Sequence, residues 1–423
     1  MAGMKKLGLL SVCLFLMYAG SGLSFPFMAV YLTGRRGVPP GTTGLILSLF
    51  VLASALGSAA GGWAADRWGR KATMVGSLAS RTVFSAALVP AVAGGGLGML
   101  IAVHFAYSLL GHAFEPATRS WVADQFPPRE RFRAYSLLRL APNLGWAVGP
   151  AVGSIVPFES YPLLFAGTAG INAVCSVLVG VFIPETRPGP SASTGPVPPS
   201  ALLPPSDRPT PAIEGPLPRG PILGLHDPRF LAYCGWVVLL SLVMAQFIVG
   251  LSIHATRFAG LTPGEVGFLF TLNGALVVAL QVWASNLLVS WKLTKSLAVG
   301  SLLYAAGFAW VGFSKGLGSL AAAVAVVTLG EIVVSPAMLS LAANLAPPAE
   351  RGRYMGLHGL ASHLGMALGP AAGGWGIEVL GRRGPPLPWL AVAACGVGAA
   401  WGFRRLAGQV RPQEDSPHEG PPR

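Results

Sequence analysis

Apolar runs of about twenty or more residues recur along the whole chain, parted by short polar or Gly/Pro-rich breaks. Each run is long enough to cross about 30 Å of hydrocarbon as a helix. The two-residue alternation of a membrane barrel is missing. The pattern predicts twelve spans, at roughly 7–32, 41–65, 73–93, 97–123, 134–157, 161–183, 229–255, 264–290, 295–315, 318–345, 353–379 and 387–405. Residues 1–22 carry Lys5 and Lys6 ahead of an apolar stretch, as a signal peptide would. That stretch runs on to Leu32, too long for a signal core, so an uncleaved first helix is expected.

The break after the sixth span is of another kind. Residues 184–228 are rich in Pro, Gly and Ser and poor in aromatics. Such a segment buries too little apolar surface to offset its ordering entropy. It predicts a flexible linker between two six-span halves, 1–183 and 229–405, followed by a disordered tail at 406–423.

Composition sharpens this. The chain has 423 residues, of which 52% are hydrophobic and 11% charged. A soluble domain carries about 25% charged residues, so an ordinary soluble enzyme, a disordered protein and a disulfide-stapled secreted domain are all excluded. Cys13, Cys175, Cys234 and Cys395 all fall in apolar runs with no CxxC, which reads as core packing rather than a disulfide or zinc framework. The net charge of +13 reads as orientation, not nucleic-acid binding. With the N-terminus inside, the predicted cytoplasmic segments hold 20 of the 29 Lys and Arg, the outer loops six, and the spans three (Arg81, Arg119, Arg139). Both termini are therefore expected in the cytoplasm.

The halves are related. Residues 127–154 align without a gap to 347–374 at an offset of 220, matching Pro127/Pro347, Arg131/Arg351, Arg133/Arg353, Gly145/Gly365, Gly149/Gly369 and Pro150/Pro370. Helix order and direction are kept, so the repeat is parallel, with two bundles related by an axis along the membrane normal.

Between the second and third spans stands Gly62-Trp63-Ala64-Ala65-Asp66-Arg67-Trp68-Gly69-Arg70-Lys71. Gly69 suits a tight turn, Gly62 suits close helix approach, and Arg67, Arg70 and Lys71 suit the cytoplasmic leaflet. Asp66 suits a charge pair or a helix N-terminus. The sequence fits G-x-x-x-D-R-x-G-R-K and resembles the signature loop of the major facilitator superfamily. The resemblance extends to the twelve spans, the parallel halves and the long central linker. It implies an all-α polytopic membrane protein of two pseudo-symmetric six-helix bundles. It also implies a conformational latch that docks on span 11 when the protein faces outward, with Asp124 and Arg353 as candidate members. The second half keeps only a worn copy at 285–295, with Val289 where the acid would stand.

In span 5, Gly145, Gly149, Pro150 and Gly153 resemble the antiporter motif of drug-exporting members, with Ser154 in place of a final glycine. Span 11 repeats the pattern at Gly365, Gly369, Pro370, Gly373 and Gly374, so a plain packing groove explains it equally well.

Ionisable residues inside a bilayer are costly and mark functional sites. In span 4, His104, Ser108, His112, Glu115 and Arg119 are spaced as one helical face. The resemblance makes spans 1, 4, 7 and 10 the cavity wall. Glu115 and Arg119 also form an i,i+4 pair. In span 10, Thr328, Glu331 and Ser335 share a face, and Glu331 falls near the midplane with no basic residue within a turn. Glu331 and Glu115 are the proton-coupling candidates. A hydrogen-bonded structural carboxyl and direct cation binding remain open for Glu331. Arg139 and Asn143 on span 5, with Tyr135, form a face similar to one in part of the drug-antiporter branch. His363 aligns with Asn143 in the repeat. Tyr18, Phe25, Tyr233, Trp236 and Gln246 suit cavity wall or plain packing.

No Walker loop, GxSxG, HExxH or metal-spaced cluster occurs in the sequence, so neither an enzyme nor a metal or cofactor is expected. The expectation is a secondary transporter in the inner (plasma) membrane, driven by a proton gradient and exporting amphipathic or cationic small molecules. It would act as a monomer in the bilayer without nucleic acid. An importer of a small polar or anionic solute is the first alternative, since Arg81, Arg119 and Arg139 suit an anion. A non-transporting sensor or scaffold is the second. After span 6 only Ile183-Pro184-Glu185-Thr186-Arg187 remains of a sugar-porter signature, and span 1 lacks the ExxERF of peptide symporters.

Overall fold

The computed structural model describes residues 2–126, 128–155, 161–186, 227–288, 290–347 and 351–416. Fourteen α-helices are found among them: α1 Ala2–Val30, α2 Pro40–Trp68, α3 Arg70–Ala93, α4 Leu97–Gly111, α5 Phe114–Gln125, α6 Pro128–Ile155, α7 Tyr161–Phe182, α8 Pro228–Ala245, α9 Val249–Arg257, α10 Pro263–Leu288, α11 Leu293–Phe313, α12 Leu317–Leu345, α13 Arg351–Val379 and α14 Leu387–Leu406. A single turn of π-helix, Tyr31–Arg35, extends α1. They make twelve spans, because α4 with α5 and α8 with α9 each form one broken span. Nine helical stretches among the described residues are long and apolar enough by themselves to cross a membrane.

Helix ends follow local chemistry. Proline opens α2, α6, α8 and α10, where its missing N–H costs nothing. Asp227 caps α8 by accepting from the backbone N–H groups of Arg229 and Phe230. Thr262 and Glu265 form a capping box on α10, with Thr262 N donating to Glu265 Oε2 (2.8 Å) and Glu265 N to Thr262 Oγ1 (3.3 Å).

The two spans expected to be continuous, 97–123 and 229–255, are each interrupted. In the first, Pro116 restarts the helix in the opening turn of α5 because it cannot donate back to His112. In the second, Gln246, Phe247 and Ile248 make successive short bonds to Val243, Met244 and Ala245. The Gln246 amide then donates to Leu242 O (3.1 Å) and to Gly369 O on α13 (2.8 Å). A break at membrane depth needs its freed backbone groups satisfied, and this buried side chain meets that need.

Packing repeats between the halves. In the first, α1 lies on α6, α3 on α7 and α2 on α4; in the second, α8 lies on α13, α11 on α14 and α10 on α12. These pairs correspond under the parallel repeat. The halves meet along α2 against α13 and α6 against α10. Their close contacts lie toward one end, called here the far end: Gly44 packs on the Pro370 carbonyl, Gly374 on the Pro40 carbonyl and Gly274 on Ala147. The opposite, near end carries the 62–71 loop.

The tail expected to be disordered from 406 departs from that reading. Residues 407–416 fold back onto the near end of the second bundle. Asp415, 3% exposed, accepts from Thr294 N (2.8 Å) and Thr294 Oγ1 (2.7 Å) at the start of α11. Asn344 Nδ2 donates to the carbonyls of Glu414 and Ser416, and Arg229 pairs with Glu414 at 3.3 Å. Helix-capping chemistry, absent from a hydropathy pattern, holds this segment. Residues 417–423 and linker residues 187–226 lie outside the described residues.

Candidate functional site

A cavity of about 210 Å³ lies between the halves. Its aromatic wall is Trp146 from α6, Phe247 from the break in span 7, Phe270 from α10 and Tyr304 from α11; Met244 and Met366 fill in. Asn143, Asn273 and Glu331 supply its polar groups. Asn273 Nδ2 donates both to Glu331 Oε2 and to Thr328 Oγ1, each at 2.9 Å. Thr328 is fully buried and donates to Val324 O. No Lys, Arg or His pairs with Glu331 among the described residues. The site is thus one carboxyl in an aromatic and thioether box, a combination that attracts cations through both charge and ring faces.

The span-4 stripe does not form one cavity wall. The break at His112 and Ala113 shifts the helical register. His104 and Ser108, each 3% exposed, turn into the first bundle, and His104 stacks on Phe50 at 4.1 Å. Ser108 and Thr328 are repeat equivalents, and both face inward in their own halves. His112 Nδ1 lies 2.7 Å from Ser108 O. Glu115 pairs with Arg119 and accepts from Tyr18 Oη at 2.7 Å. Arg119 is 67% exposed, which suits a near-mouth pair. Ser335 is half-buried. His363 is exposed, with Nδ1 2.7 Å from Gly359 O. The side chain of Arg139 lies outside the described residues.

Arg81 is 3% exposed and sits in the first bundle, not in the central cavity. It donates to Tyr107 Oη (2.6 Å), Ser21 Oγ (2.9 Å), Gly111 O (3.3 Å) and Asn172 Oδ1 (3.4 Å). All these acceptors are neutral, and the Glu115 carboxylate is not among them.

The 62–71 loop is organised around Arg70. Its guanidinium bonds Asp66 Oδ1 (2.6 Å) and Asp124 Oδ2 (3.0 Å), and Thr186 Oγ1 also donates to Asp124 (3.2 Å). Asp66 leaves 70% of its side chain exposed. Gly69 sits at φ +106°, which favours glycine, and a Cβ there would collide with the Glu185 carboxylate. A Cβ on Gly62 would meet nothing within 4 Å. Close approach falls instead to Gly57 on the Leu109 carbonyl and Gly61 on Ala113, because those two lie on the face turned to the broken span.

Glu185, part of the short Pro-Glu-Thr-Arg stretch, caps α3 from the end of α7 by accepting from Lys71 N and Ala72 N, both at 3.1 Å. Burial disfavours its charge, but the N–H donors of Ala72, Lys71, Thr186 and Arg70 outweigh this and hold its carboxyl below the ordinary range. A depressed folded value means the cap stabilises above the ordinary carboxylate range and is lost as pH falls through the lowered value. Hydrogen exchange at Lys71 and Ala72 is therefore expected to quicken, relative to the intrinsic rate, on acidification into that window. Glu185→Gln should show the quickened exchange already at neutral pH; unchanged protection in that variant would remove Glu185 as the cap.

Two helical bundles packed on each other with a cavity between them have the architecture of a membrane carrier. The Major Facilitator Superfamily profile matches residues 10–259 and 230–422. The chain belongs to the major facilitator superfamily and is a multi-pass membrane transporter. It is 30% identical over 390 residues to the multidrug resistance protein MdtH of Aeromonas salmonicida, covering 90% of each chain. It is 26% identical to MdtH of Yersinia enterocolitica, covering 92% of each. In fold it resembles a peptide transporter of the POT family crystallised with sulfate (TM-score 0.76, 17% identity, covering 98% and 96% of the two chains). It also resembles a bacterial homologue of the lysosomal transporter Spinster (TM-score 0.68, 14% identity, covering 95% of each).

Sequence reasoning missed Asn273, Trp146, Phe270 and Tyr304. None carries a charge, and in an apolar span an aromatic facing a cavity looks like one facing a neighbour. Asn273 had a usable signal, as an amide near the middle of an apolar run.

Proposed function

We propose that the chain exports amphipathic or cationic small molecules in exchange for protons. The observation that carries this reading is Glu331, a carboxyl with no cationic partner among the described residues, in a cavity walled by Trp146, Phe247, Phe270 and Tyr304. An unpaired charge in such a place is costly, so its stable occupants are a proton or a cationic substrate. Mutually exclusive occupancy is the minimal logic of antiport. The naming of the relatives as multidrug resistance proteins supports the same direction.

The excess of Lys and Arg at the near end favours placing the 62–71 loop and both termini in the cytoplasm, in an inner membrane. On that placement the far-end seam closes the outer face, and the described state opens inward. An exposed Asp66 fits a latch not docked on α13 in this state. The protein would work as a monomer with a proton gradient as its energy source.

Purified protein in proteoliposomes, with a lipophilic cation as the probe, tests the reading. Proton movement opposite to the probe is expected. Movement in the same direction would make the chain a symporter, and no coupled movement in active vesicles would defeat proton coupling.

A further inference from the structure

The far-end seam contains a helix cap supplied by the opposite half. At the start of α2, Pro39 offers no side-chain cap and Pro40 has no N–H. Thr43 N bonds back to Pro39 O, so Gly41 N is left as an orphan donor of the first turn. Glu378 Oε2, at the end of α13, accepts from it at 2.8 Å. A Cβ on Gly41 would lie 2.7 Å from that oxygen, so a side chain there would make the carboxyl shift. A second cross-half hydrogen bond, Ala371 N to Ser48 Oγ at 2.9 Å, joins the same two helices among the described residues. Serine does not titrate, and the other described seam contacts are backbone packed on glycine and an apolar cluster in which Phe27 and Tyr31 of the first half meet Val249, Ile253 and Ile377 of the second. Glu378 supplies the closing contact that a proton can cancel.

Glu378 is reachable by water, with 28% of its side chain exposed. It borders a cleft of about 540 Å³ at the far end. The charged groups around it are cations. Arg382 Nη2 stands 3.9 Å from Oε1, and Arg257 of α9 lines the same cleft. Arg36, from the connection before α2, is turned away onto Tyr31 Oη and Ala91 O. The neighbouring start of α14 brings no charged residue.

We propose that Glu378 is the proton-labile bolt of the far-end gate: ionised, it holds the halves together by capping α2, and protonated, it lets them part. An ionised carboxylate at a helix N-terminus gains both a charge-assisted hydrogen bond and attraction to the helix dipole. Protonation removes the charge that both depend on. The contact exists only while the far end is shut, so its loss shifts the gate toward opening. Glu378 is a positioning residue here, acting through the seam and not on the transported molecule. The proposal rests on the transporter class of the chain and is independent of the role given to Glu331.

Spin labels on Leu45→Cys in α2 and Leu387→Cys in α14, in a background lacking the four native cysteines, report far-end separation by pulsed electron paramagnetic resonance. On acidification the parent protein is expected to gain open population, toward a limit of about fivefold, the scale of a charge–dipole contact, once the carboxyl is protonated in both the shut and the open state. Glu378→Gln keeps an acceptor but cannot titrate, so its open fraction should be raised and flat with pH. Gly41→Ala, which keeps the carboxyl but forces it to shift, should raise the open fraction in the same direction and to a smaller extent. A parent protein without pH response, or Glu378→Gln retaining the parent response, overturns the proposal. Glu331→Gln should leave the far-end response in place; losing it there would assign the titration to the cavity and equally overturn the proposal.

Discussion

Glu331→Gln is expected to abolish proton-driven efflux while the protein still folds. The amide is close to isosteric with the carboxyl, and its oxygen can still accept from Asn273 Nδ2, which also bonds Thr328. Stability should therefore change little, because no buried group loses its partner. Two properties vanish: a site that can gain and lose a proton, and a negative charge inside the aromatic box. Without the first, a proton gradient has no handle on the cavity. Without the second, a cationic probe loses its main electrostatic attraction, leaving ring-face contacts worth about 0.5–2 kcal/mol. The measurement is probe efflux under an imposed pH gradient, beside thermal unfolding of the same preparation. Efflux at the parent rate would reduce Glu331 to a structural hydrogen-bond acceptor. Loss of efflux together with loss of folded protein would show a structural role of the opposite kind. Probe exchange without a gradient separates the two lost properties, since an uncharged cavity can still exchange a weakly bound probe.

The apolar periodicity made the twelve spans legible because a bilayer imposes length and hydropathy on every crossing. The parallel repeat was equally visible, since its Gly, Pro and Arg positions mark helix contacts and ends. Breaks within spans were not visible in the same way. Pro116 is an ordinary local signal and could have been used, but the break at Gln246 depends on the distant Gly369 carbonyl. The span-4 stripe illustrates the consequence. Its spacing was regular, yet a break at residue 112 turned His104 into the first bundle and left Glu115 and Arg119 as a near-mouth pair. Glu331 was legible because a solitary acid in an apolar run is informative by itself. Glu378 and Asp415 were not, since each acts on a backbone N–H far away in sequence.

The glycine and proline motif of span 5 can now be weighed by the same means. Gly145 brings α6 so close to α1 that a Cβ would stand 2.7 Å from the Phe15 carbonyl, and one on Gly149 would strike the Ala19 carbonyl. In the second half a Cβ on Gly365 would meet the Val238 carbonyl and lie 2.6 Å from Ser241 Cβ, while one on Gly369 would meet Ala245. The two halves use the same device for the same helix pair, so the motif serves packing before it serves transport direction. Gly149→Ala and Gly365→Ala are both expected to destabilise strongly. Overpacking costs about 1–3 kcal/mol when side chains can yield, and here the obstacle is backbone, so the upper part of that range or more is expected. Gly167→Ala, with open space at the Cβ position, should be silent. Thermal unfolding in detergent, scored with the yield of monodisperse protein, makes the comparison. A Gly149→Ala protein as stable as the parent but unable to export, beside a normal Gly365→Ala protein, would return the motif to a role in direction. Equal damage in both halves would instead place it where the contacts do, in the seam that lets each bundle move as one body.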